Sequence, residues 1–103
     1  MLEPTHRLLM IYDIRPEEFQ QYYLYVRGEF VSSLQKVGLQ MVSAWQVHGG
    51  NHPERQLEFV AESAEALREA LTSEKFQDAE DRLKTFSTSY RRKVVRFANR
   101  YQF

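Results

Sequence analysis

An α+β fold, with four antiparallel strands and helices on one face of the sheet, is what this 103-residue sequence predicts. Three observations lead there. Apolar residues alternate with period two in four stretches and recur at spacings of three and four in the two regions between them, in the order βαββαβ. A run of turn formers, Gly49-Gly50-Asn51-His52-Pro53, separates the two middle strands. The chain has no linker, repeat or low-complexity segment, so residues 1–103 read as one domain.

Taken in order, Arg7–Ile14 (RLLMIYDI) is a strand with Leu8, Met10, Tyr12 and Ile14 on one face and Leu9 and Ile11 on the other. A strand covered on one side alternates apolar with polar; this one asks for cover on both. Arg15-Pro16-Glu17-Glu18 starts a helix, with proline at a first-turn position and two acids near the positive end of the dipole. Phe19, Tyr22, Tyr23, Val26, Phe30, Leu34 and Val37 form its apolar stripe, and Gly38 ends it in the left-handed conformation common at helix C-termini. Leu39–His48 is the second strand, with Trp45, the chain's one tryptophan, among Leu39, Met41, Ser43 and Val47 on one face. Proline is expected to keep both middle strands out of the turn. Arg55–Ala61 is the third strand, with Leu57, Phe59 and Ala61 inward. Ser63 caps a short helix, a break falls near Thr72 or Ser73, and a second helical stretch runs to about Phe86. Ser87-Thr88-Ser89 reads as a polar link to a last strand, Tyr90–Asn99.

Composition limits the function classes. With 43% hydrophobic and 27% charged residues the chain is of ordinary globular type. It has no cysteine, which excludes disulfides, thiolate chemistry and cysteine-based metal sites. No apolar run approaches the ~20 residues that span a bilayer, and MLEPTHRLLMIYDI lacks the features of a signal peptide, so a cytoplasmic protein without membrane contact is expected. The net charge is zero, yet all acids lie at or before Asp81, while Arg82, Lys84, Arg91, Arg92, Lys93, Arg96 and Arg100 follow it. The basic tail alternates with apolar residues like a structured strand. It is therefore expected to sit against an acidic helix, and nucleic acid is not the expected partner.

The order βαββαβ is that of a ferredoxin-like sandwich. Two helical layers cover only one face of such a sheet. The second apolar face of Arg7–Ile14, and Trp45 if it lies there, call for a second copy of the chain closing sheet against sheet.

The sequence also resembles the dimeric α+β barrel superfamily, and within it the NIPSNAP-like and stress-responsive barrel proteins. The matching pieces are the first strand ending in Arg15-Pro16, the stretch LQKVGLQMVSAWQV, the glycine-rich turn, and RQLEFVAES running into AEALREALTSEKFQ. The last, with Thr72-Ser73-Glu74-Lys75-Phe76, is the most specific, and the likeness spans Arg7 to Phe97. It implies a homodimer and no particular chemistry. Oxygenases of the superfamily use an Asn on the first strand and a Trp on the sheet, and its haem-degrading members a His on the second helix. Here Asp13 is the only carboxylate or amide of the first strand and Ala64–Phe86 holds no histidine, so no cofactor is expected.

His48 and His52 are four apart across a turn, where they share no helical face, and no metal site is expected from them. A ligand cavity lined by Tyr12, Trp45, His48 and Tyr90, with Arg92 at its mouth, would suit a small apolar or aromatic molecule. His48 is the one candidate for a catalytic base. Three readings stand. The first is a homodimeric barrel that binds a small molecule. The second is a cofactor-independent monooxygenase or isomerase acting on a phenolic or polyketide-type substrate. The third is a nucleic-acid binder using the basic last strand. Whether the protein is an enzyme stays open at the level of sequence.

Overall fold

The computed structural model describes residues 6–49 and 52–96. Strands β1 (His6–Ile14), β2 (Gln40–Gly49), β3 (His52–Ala61) and β4 (Ser87–Arg96) form one antiparallel sheet in the order β2-β3-β1-β4. This is the ferredoxin-like arrangement that the periodicities predict, with the first and third strands central.

Between β1 and β2 the helical path is more varied than one uniform helix. A 3-10 turn, Pro16–Glu18, leads into α1 (Phe19–Tyr25), a π-helical turn (Val26–Phe30) and α2 (Val31–Lys36). The π turn widens the helix by one residue. Tyr25 and Phe30, five apart, both enter the core, with their rings 5.7 Å apart. Phe19, which the regular stripe puts inside, is exposed instead. Gly38 ends α2 with φ of +94°, a conformation that strains any residue with a Cβ.

Serine side chains set the other helix starts. Ser63 accepts a hydrogen bond from the Ala66 amide at the start of α3 (Ala64–Thr72). At the break, Ser73 accepts from the Phe76 amide at the start of α4 (Glu74–Thr85) and donates to the Ala70 carbonyl at the end of α3. One hydroxyl thus closes one helix and opens the next. Replacing Ser73 by alanine is expected to cost about 1 kcal/mol, within the ~0.5–2 range of lost caps, measured by urea unfolding. An unchanged midpoint would mean the break is held by packing alone.

Leu8, Met10 and Tyr12 of β1 and Leu57, Phe59 and Ala61 of β3 pack beneath the helices with Tyr22, Phe30, Leu34, Leu67, Phe76 and Leu83. The opposite, open face carries Arg7, Leu9 and Ile11 of β1 and Glu54, Gln56 and Glu58 of β3, because alternate residues of a strand point to opposite sides.

Three strand details differ from the sequence expectation. In β2 the register with β3 shifts between Met41 and Ser43. The extra residue, Val42, breaks the alternation, so Met41 pairs with inward Phe59 while Ser43 and Trp45 pair with outward Glu58 and Gln56. Pro53 lies inside β3, opposite His48. Pairing of β3 with β1 ends at Arg55, so Pro53 has β2 alone beside it, the edge setting in which proline is tolerated. Ser87–Ser89 belong to β4, and a second irregularity, with Ser89 at φ of 54°, shifts its register against β1. The end of the expected last strand, through Asn99, lies outside the described residues. No helix among the described residues is long and apolar enough to cross a membrane.

Candidate functional site

Polar and aromatic side chains gather on the helix face at the Tyr12 end of β1. Tyr12 and Tyr22 join through their hydroxyls at 2.6 Å, both buried, with the rings edge to face. Arg55, the β3 residue paired with Tyr12, donates to the Tyr23 hydroxyl at 2.6 Å and lies over the Tyr22 and Tyr23 rings, 5.9 and 5.4 Å from their centroids. On the other side of Tyr12, the Tyr90 ring sits 6.2 Å away. Tyr90 donates to Glu80 Oε2 at 2.6 Å, and Arg92 donates to the same oxygen at 2.8 Å. A continuous line of phenols, capped by one arginine at each end, therefore runs between sheet and helices.

The two ends differ in electrostatic balance. Glu80 lies on the buried side of α4 and its carboxylate is matched by Arg92 and the Tyr90 hydroxyl. Among the described residues no carboxylate pairs with Arg55, and its Nε is buried without a hydrogen-bond partner. Tyr23, which takes the Arg55 bond, also lines a surface groove of about 740 Å³ with Phe19, Gln20, Leu24, Arg27 and Gly28. Gly28 leaves open space where a Cβ would stand, so no close backbone contact within the described chain accounts for it.

Burial raises the phenol pKa of Tyr12, Tyr22, Tyr25 and Tyr90 above the ordinary value, and Tyr25 is pushed up to about 12. For Tyr12 the neighbouring Tyr22 adds to the effect, and for Tyr90 the bond to Glu80 does. At neutral pH these groups are donors and acceptors of hydrogen bonds, not bases. The folded state holds these protons more tightly than the unfolded chain, so the stability they contribute is complete below pH ~10 and is lost as pH rises above it. Alkaline unfolding is the expected outcome. Stability should fall by up to ~1.4 kcal/mol per pH unit for each such tyrosine that stays protonated in the fold, and the phenolate absorbance should rise with the loss of circular dichroism. Ionisation of all six tyrosines before unfolding would contradict the burial of the cluster.

Of the five residues expected to line one cavity, Tyr12, Tyr90 and Arg92 come together. Trp45 does not join them. It pairs with Gln56 on the open face, beside Ser43, whose hydroxyl donates to Glu58, and Glu58 is in turn salt-bridged to Arg7 at 2.7 Å. The Val42 bulge puts it there, 44% exposed, on the side away from Tyr12. His48 is in backbone register with Pro53, and its ring lies outside the described residues, as does that of His52. Tyr22, Tyr23, Arg55 and Glu80 were not anticipated. Two carried a readable signal: Arg55 stands two residues before inward Leu57, and Glu80 four after inward Phe76, so each places a charge on an apolar face. In the basic strand, Arg91 pairs with Glu54 at 2.6 Å and Arg92 with Glu80 of α4, which commits both charges to carboxylates.

No family model matches the sequence, and no curated protein matches it. Solved structures do. A NIPSNAP family protein from Agrobacterium tumefaciens is similar with a TM-score of 0.62 and 18% identity, covering 88% of this chain and 90% of that one. An uncharacterized NIPSNAP domain protein from Burkholderia xenovorans gives 0.64 at 8% identity, covering 87% and 91%. SnoaB, a cofactor-independent oxygenase from Streptomyces nogalater, gives 0.63 at 15% identity, covering 90% and 92%. At these identities the likeness establishes the fold alone, a four-stranded antiparallel sheet with helices on one face that this chain shares with these proteins.

Proposed function

We propose that the chain works as a homodimeric α+β barrel that binds a small aromatic molecule where the phenol cluster meets the helices, without turning it over. The observation that carries this reading is the line Tyr23–Arg55–Tyr22–Tyr12–Tyr90, an aromatic wall with hydrogen-bonding tips and an arginine without a carboxylate partner among the described residues. In this reading Tyr12, Tyr90 and Arg92 belong to the site, and Trp45 serves to close the dimer instead. What supports the dimer is the open face, where Trp45 stands exposed on a sheet that the helices leave uncovered. The lack of cysteine accords with a reducing, cytoplasmic setting.

Binding is favoured over turnover because the phenols are held protonated, and Glu80 is already engaged by two donors. Titration with naphthol, followed by nuclear magnetic resonance, tests this. Shifts gathered on Tyr12, Tyr22, Tyr23 and Tyr90 are expected, with a mass of two chains by light scattering. No binding, or shifts confined to the open face, would sink the assigned site. Oxygen uptake with a phenolic polycyclic substrate would instead favour oxygenation of the kind named for SnoaB.

A further inference from the structure

The geometry points to a ligand with an ionised oxygen, an aromatic carboxylate, which Arg55 takes at the tyrosine wall. The inference rests on the binding site proposed above and adds the charge of what it binds. It follows from a count of hydrogen-bond donors. The Tyr12 and Tyr22 hydroxyls carry two hydrogens, and their mutual bond uses one. The Tyr23 oxygen accepts from Arg55, which leaves its own hydrogen without an acceptor among the described residues. Arg55 Nε is buried and makes no hydrogen bond among the described residues. Among the described residues two buried donors, the spare hydrogen of the Tyr12–Tyr22 pair and the Arg55 Nε–H, thus lie near Tyr22 with no acceptor to match them, while Tyr23 at the groove turns a third toward solvent.

A buried donor left unmatched is costly, and proteins rarely keep several in one place. An arginine shielded by aromatic faces needs an anion more than one in water does. The planar guanidinium suits two oxygens in one plane, while the Tyr22 and Tyr23 rings suit a flat apolar body beside them. The other end of the cluster behaves differently. There Glu80 already supplies the acceptor for Tyr90 and Arg92, so that end has no such deficit. Tyr23, which takes the Arg55 bond, also lines the groove along α1 and so stands between that groove and the arginine.

The test compares naphthoate with naphthol on the full chain, by calorimetry or magnetic resonance. Naphthoate is expected to bind at least about tenfold more tightly than naphthol, the usual gain from a charge-assisted bond. In Arg55→Met that advantage is expected to disappear, with an unchanged circular dichroism spectrum showing that the variant folded. Arg55→Lys, which retains the charge and loses the fork, is expected to keep only part of the advantage. Should Arg55→Met not fold, Arg55→Lys decides by itself: full retention of the advantage overturns the role of the fork. Equal affinity for the two probes in the parent protein overturns the inference and leaves the binding site standing. Failure of both probes to bind removes the site and the inference together.

Discussion

Replacing Phe59 by alanine is expected to destabilise the fold by about 3–5 kcal/mol. Phe59 lies at the centre of β3, fully buried, between strand pairing with Leu8 on one side and Met41 on the other. Its ring meets Phe30 edge to face at 6.1 Å, which ties the sheet to the π turn. Removing it deletes apolar area and leaves a cavity that two rigid strands cannot close. A domain of this size has only about 5–15 kcal/mol in total, so the variant should sit near the edge of folding at 37 °C or show a much lower urea midpoint. Leu24→Ala is the control. Leu24 is 72% exposed on α1, and its loss should stay within about 0.5 kcal/mol. A Phe59→Ala cost below about 1 kcal/mol would mean that the core collapses around the gap.

Trp45→Lys is expected to break the proposed dimer without unfolding the chain. The indole stands on the open face, so the helix-side core does not depend on it. Central tryptophans of interfaces commonly account for 2 kcal/mol or more of association, and a lysine there adds a buried charge that the partner does not match. Light scattering should give the 12.3 kDa of one chain for the variant against two for the parent. Circular dichroism should stay unchanged. A variant that keeps the mass of two chains would show that copies meet elsewhere, the exposed Phe19 and Leu24 of α1 being the next surface to mutate.

Much of the fold was legible because its signals are local. Ser63 and Ser73 cap helices where capping residues stand in the sequence, and Gly38 takes the left-handed conformation at the end of α2. Less of the site was legible. Tyr12, Tyr90 and Arg92 could be placed on one face because they alternate with core residues on strands already recognised. Tyr22 and Tyr23 were read as part of a stripe, and only packing separates a core tyrosine from one whose hydroxyl meets another strand. Tyr25 was missed because the π turn changes the spacing from four to five, and no residue type announces that change.

By itself the sequence determined the order βαββαβ, the helix boundaries set by serine and glycine, and the need of β1 for apolar surroundings on both faces. Each of these follows from side-chain periodicity and backbone preference within a few residues. Tertiary structure alone decided which face Trp45 occupies and which arginines find a carboxylate among the described residues. A bulge is an event between two strands: the single extra residue at Val42 carries Trp45 to the open face, although the alternation within β2 reads the same either way. Charge balance is likewise a matter of neighbours. Arg92 finds Glu80 and Arg91 finds Glu54 across distances that no spacing encodes, while Arg55 bonds to Tyr23 and lies over the Tyr22 and Tyr23 rings.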